Sequence, residues 1–216
     1  MEKHPGPSLR WLAMVHTLLF VCSLFAFAVL SGGGHIPSPF GAESTFYLTQ
    51  HTVALRWSAF FLFGCAVPLG LFGAVAASRL LFLGIRAAGV HIAFFGGVGA
   101  SFGLAASGLT LWIVADPAVG GSARALQLAS FAAGGPAFAV AFGLLAAGVS
   151  LSAGLSHQIP RWAMWLGLFV AAVGELSSLS LVFLPAALLL PLARFPGLVW
   201  LIALGWLLPT SRRVTR

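Results

Sequence analysis

Charge is scarce in this sequence. Only 7% of its 216 residues are Asp, Glu, Lys or Arg, and just four are acidic. A soluble domain carries about 25% charged residues, so a water-facing surface cannot be assembled from this supply. The surrounding solvent must be mostly hydrocarbon. Cysteine is nearly absent too. Cys22 and Cys65 each stand alone inside an apolar run, make no metal motif, and read as small hydrophobes. There is no phosphate-cradling Gly loop with a Lys, no paired-carboxylate arrangement and no nucleophile elbow, so the sequence reads as non-enzymatic. Asn is missing altogether, and ten of the eleven basic residues are Arg. With so much Ala, Gly and Leu, this composition fits a GC-rich bacterial genome.

The net charge of +7 would indicate a nucleic-acid partner if the basic residues clustered. Instead they fall in ones and twos between apolar runs, which excludes nucleic acid and fits the bias of positive charge toward the cytoplasm.

Apolar runs dominate what remains, at 60% hydrophobic residues. A spanning helix needs about 20 mainly apolar residues. Six runs qualify, at about 11–30, 53–77, 90–115, 126–150, 162–184 and 192–208, with an outer loop over 31–52. The expected fold is an all-α, six-span membrane bundle forming one unit over 1–216. The first run exceeds the 7–15 apolar residues of a signal peptide and lacks a clean cleavage site, so it reads as a span. With the N-terminus inside, eight basic residues fall on the inner side, and Arg56, Arg124 and Arg194 on the outer side. That bias predicts both termini in the cytoplasm of a bacterial inner membrane. Trp11, Trp57, Trp112, Trp162, Trp165 and Trp206 fall near predicted helix ends, where indoles sit between tails and headgroups.

In lipid, helices associate through small residues and polar side chains. Gly99, Gly103 and Ser107 recur every four residues along the third span, with Gly96 and Ala100 beside them. Ala171, Glu175 and Ser178, four and then three residues apart, share one face of the fifth, flanked by Gly167 and Gly174. These two helices are expected to be central. Pro68 and Pro136 should bend the second and fourth spans. The hexapeptides FGAVAA (72–77) and FGLLAA (142–147) hint at a parallel repeat of two hairpins.

Glu175 lies far from any other charge in sequence. An ionised carboxylate at that depth costs several kcal/mol unless paired or wetted. Arg56 enters the second span near the outer surface, and its long stem could reach down. The expectation is a Glu175–Arg56 pair with Ser178 as a further partner: either a register-fixing contact or a site for a proton, ion or small solute. Arg194 and Arg124 are expected nearer the surface. His16 and His91 share one depth on the first and third spans and are candidate haem ligands. His35, Glu43 and His51 share the outer loop and are candidate zinc ligands, although their spacing matches no motif. Neither set compels a metal or haem, and no cofactor is expected.

Two C-terminal segments, IPRWAMWLGLFVAAVG (159–174) and RFPGLVWLIALGWLLP (194–209), resemble an actinobacterial-type family of six-span integral membrane proteins of unknown function. The likeness covers about a quarter of the chain and implies the six-span topology but no activity. The leading functional expectation is a small accessory subunit that associates, through Gly/Ala faces, with other membrane proteins or with itself. The alternatives are a small-solute or proton-coupled permease using Glu175, and a haem- or quinone-binding redox subunit.

Overall fold

The structure is a computed structural model describing residues 2–34, 36–38, 40–41 and 44–212. It is all-helical, with six helices long and apolar enough to cross a membrane. Helix α1 (Leu9–Leu30) is the first span, and a short helix α2 (Ser44–Gln50) interrupts the loop after it. Helices α3 (Thr52–Phe82) and α4 (Ala88–Val114) are the second and third. The fourth is composite: α5 (Ala123–Ala132), a π-helical turn at Ala133–Ala137, then α6 (Phe138–Leu155). The fifth is α7 (Arg161–Leu176), continued by a 3-10 segment to Leu181. A second 3-10 turn at Leu184–Leu188 leads into the sixth, α8 (Leu189–Leu207).

Each span packs on its neighbour in sequence, and α8 returns to α1, so the six form a closed ring. A two-residue antiparallel pairing of β1 (Glu2–Lys3) with β2 (Ser211–Arg212) ties the chain ends together on one face. Trp11, Trp162, Trp165 and Trp206 are exposed near the helix ends on that face, and Trp57 and Trp112 near the ends on the other. Exposed Phe and Leu fill the belt between them. This is the surface of a multi-pass membrane protein.

Small residues set the packing. On one flank of α4, a Cβ added at Gly97 would lie 2.7 Å from Gly73 Cα of α3, and Ser101 Oγ donates to the Ala66 carbonyl at 2.7 Å. On the other flank, a Cβ at Gly96 would meet the Ala141 carbonyl oxygen at 2.6 Å, and one at Gly103 the Ala133 oxygen at 2.8 Å. Gly99 abuts Ala141 on the same side. Hence Gly99, Gly103 and Ser107 all face the fourth span. Backbones this close gain dispersion contacts that larger side chains would prevent.

Two expectations change. The most buried spans are the second and fourth, not the third and fifth. Gly143, Phe142 and Leu145 on α6 are buried between α4, α7 and α8, whereas α7 meets only α6 and α8 extensively. At Pro68 the helix α3 continues without a break, while at Pro136 the helix takes up the π turn.

Candidate functional site: an arginine in the bundle cavity

Pro136 lacks the N–H that an α-helical turn would use. The turn widens to π geometry, and Phe138 N–H pairs back to the Ala133 carbonyl. Arg194, one and a half turns into α8, points toward this widened turn. Its Nη2 donates to the Gly134 carbonyl, and its guanidinium lies 4.4 Å from the Phe138 ring centroid and 5.0 Å from that of Phe20 on α1. A guanidinium is weakly hydrated and stacks on aromatic faces, so it tolerates this apolar setting better than an ammonium.

No acid among the described side chains balances this charge. Asp116 and Glu175, the two acids whose side chains are described, are both exposed, and neither pairs with Arg194. What adjoins Arg194 is a cavity of about 420 Å³. Phe20 and Leu24 of α1, Leu62 of α3, and Leu104 and Leu111 of α4 give it apolar walls. Ile36, Pro37 and Ser38 of the first loop border it at the end opposite the paired termini. Gln127 on α5 holds that loop, its Nε2 donating to the Pro37 carbonyl at 3.2 Å.

Two lining serines are already engaged. Ser107 Oγ donates to the Ser130 carbonyl at 2.9 Å and Ser130 Oγ to the Ser107 carbonyl at 3.0 Å. Each hydroxyl carries one proton, so this reciprocal clasp between α4 and α5 uses both. Arg194 has five N–H donors, and one is committed to Gly134.

The other candidate residues do not converge. Glu175 and Arg56 are both exposed and make no ion pair among the described residues. Ser178 is exposed as well, and its hydroxyl donates to the Glu175 backbone carbonyl at 2.6 Å, not to the carboxylate. The reason is helical phase. The inward stripe of α7 runs through Gly167, Val170, Ala171 and Gly174, and each residue turns the helix by about 100°. Glu175 lies about 100° past Gly174 and about 40° past Ala171, at the edge of that stripe, and its side chain is exposed.

His16 is buried, and its Nδ1 donates to the Cys65 carbonyl at 2.8 Å. His91 is exposed on α4, and the helices that carry the two histidines do not pack together extensively. His51 Nδ1 donates to the Tyr47 carbonyl at 2.9 Å. His35 and Glu43 lie outside the described residues. Among those described, no three His, Cys, Asp or Glu side chains gather into a metal site.

Sequence reasoning placed Arg194 near the surface. The available signal was its position between Pro191 and Pro196 in an apolar run: a base inside a span, where polar groups are expensive and usually functional. No protein-family model, curated protein or solved structure matches this chain.

Proposed function

We propose that this chain is a non-enzymatic, multi-pass protein of a bacterial cytoplasmic membrane that binds a small ligand in the cavity beside Arg194. One observation carries the reading: a fixed cation borders a cavity of about 420 Å³, within the roughly 300–1,000 Å³ range of small-molecule sites. An intramembrane charge that only fixed helix register would need no cavity beside it.

The test uses thiol labelling in membrane vesicles. In a Cys22→Ala/Cys65→Ala background, Leu62→Cys places a thiol on the cavity wall. An anionic thiosulfonate reagent should label it at least about threefold faster than a cationic one of similar size, because a unit charge within ~10 Å of Arg194 feels its field. The preference should vanish in Arg194→Gln. No labelling by either reagent, while Trp57→Cys on the exterior reacts, would refute the cavity reading.

A second reading, assembly with another membrane protein or a second copy of the chain, is favoured by Glu175. This carboxyl group lies on the exposed face of α7 beside Leu176 and Leu179, where hydrocarbon solvates it poorly. A partner helix carrying a hydroxyl or base would satisfy it. Glu175→Gln should then weaken co-purification of the partner while leaving the isolated bundle as stable as before. An unchanged assembly would remove this reading.

A further inference from the structure

Three properties of the Arg194 cavity restrict what it can hold, and the following rests on the binding reading above. The first is charge. Among the described residues Arg194 is the one cation that lines the cavity, and an arginine remains protonated. A monoanion would neutralise it, whereas a dianion would bring an uncompensated charge into hydrocarbon at a cost of several kcal/mol. The second is geometry. The Phe20 and Phe138 rings occupy the neighbourhood of the guanidinium, and one Nη2 hydrogen is committed to Gly134. The remaining donors lie in the guanidinium plane and match the two oxygens of a carboxylate.

The third is the wall. From Arg194 to the loop at Ile36–Ser38, the lining is largely Leu24, Leu62, Leu104, Leu111 and Phe131. Ser107 and Ser130 have spent their protons on each other. A strongly hydrated anion such as acetate would lose its water here and find one charged partner only. A hydrocarbon body would instead gain about 25 cal/mol for each Å² it removes from water. Access suits such a ligand too. Leu24 on α1 and Phe195 on α8, the two helices that close the ring, both line the cavity and are 44% and 52% exposed. At the opposite end these helices meet closely, a Cβ at Gly205 lying 3.1 Å from Arg10 Cα.

We infer that the cavity binds a lipophilic monoanion, a carboxylate or acid phosphate ester on a compact hydrocarbon body, with its charge on Arg194 and its body along α1, α3 and α4.

The experiment reads protection of Leu62→Cys from the anionic reagent, with the protein in phosphatidylcholine nanodiscs. The probes are octanoate, octyl phosphate, octanol, octylammonium and acetate at equal concentration. Octanoate should slow labelling at least tenfold, and octyl phosphate at pH about 5.5, where its second proton is retained, should do the same. Octanol, octylammonium and acetate should slow it less than twofold. Protection by octyl phosphate alone would assign the phosphate ester, and by octanoate alone the carboxylate.

Equal protection by octanol and octanoate would overturn the inference, because the charge would not then be read. So would protection by acetate, because the body would not matter. Labelling that no probe slows would overturn the ligand class yet leave the cavity standing; a thiol that never reacts would overturn the cavity itself. The comparison of octanoate with octanol needs no change at Arg194. Arg194→Gln, if it folds, should abolish octanoate protection, and Arg194→Lys should retain part of it.

Discussion

A hydroxyl inside a helical bundle has few places to send its proton, and this protein repeats one solution. Ser23 of α1 and Ser58 of α3 sit 3.1 Å apart, oxygen to oxygen, with Ser23 Oγ donating to the Ser58 carbonyl at 2.9 Å. Ser107 and Ser130 form the reciprocal version between α4 and α5. Removing one member leaves the other hydroxyl free to bond its own helix, so the loss is modest. Ser107→Ala and Ser130→Ala should each destabilise the bundle, and a double-mutant cycle should return a coupling of about 0.6–1.7 kcal/mol, between the average and the largest value for such bonds in membranes. Reversible unfolding in mixed micelles provides the measurement. A coupling near zero would mean that the clasp does not join the helices. The clasp's first half was legible in sequence, since Ser107 extends the Gly99–Gly103 stripe. Its second half was not, because Ser130 sits in a polar-sprinkled start of the fourth span that gave no spacing to read. The limit at Glu175 was angular: it shares a side with the inward Ala171 but lies about 100° past Gly174, and spacing alone does not show that it falls at the edge of the packed stripe.

At the scale of the element, glycine placement carries the prediction. The Gly73–Gly97 contact brings the α3 and α4 backbones together, and any side chain at either position must push them apart. Gly97→Ala should therefore cost about 1–3 kcal/mol, the usual penalty of overpacking. Gly121, with nothing within 4 Å of an added Cβ, should accept Ala with little change. Melting curves of the two variants in one detergent check the contrast. Equal effects would show that local propensity, not the close approach, governs both. Span positions were readable because hydropathy and length suffice for them: each of the six expected runs overlaps a span-length helix. The shape of the fourth span was less readable. Pro68 and Pro136 are both prolines within apolar runs near glycines, yet α3 passes Pro68 unbroken while the fourth span widens at Pro136. The difference lies in the partner. Arg194 supplies a donor to the Gly134 carbonyl, and a residue sixty positions away does not show in a local pattern.

For the whole molecule, the N-terminal segment before α1 is tied to the C-terminal segment and to the end of α3 through His4, and this tie responds to protons. His4 N–H donates to the Thr210 carbonyl at 3.0 Å, and its Nε2 lies 3.0 Å from Ser78 Oγ at the end of α3. The His4 ring also meets Phe82 edge-on at 5.4 Å. Partial burial, and secondarily the Arg79 guanidinium, hold the His4 pKa below its ordinary value of 6.5. The folded clasp thus prefers a neutral imidazole, and the released segment binds the proton more readily. The contribution is complete above about pH 6.5, falls as the pH drops toward the lowered folded value, and is lost below it. Amide exchange at residues 3–6 should consequently accelerate between about pH 7 and pH 5 beyond the intrinsic pH dependence of exchange, while α4 and α6 remain protected. His4→Ala should remove the excess. If the segment instead became better protected in acid, the imidazole would be acting as a cation toward an acceptor, and the tie of the N-terminal segment would rest on charge pairing and not on burial of a neutral ring.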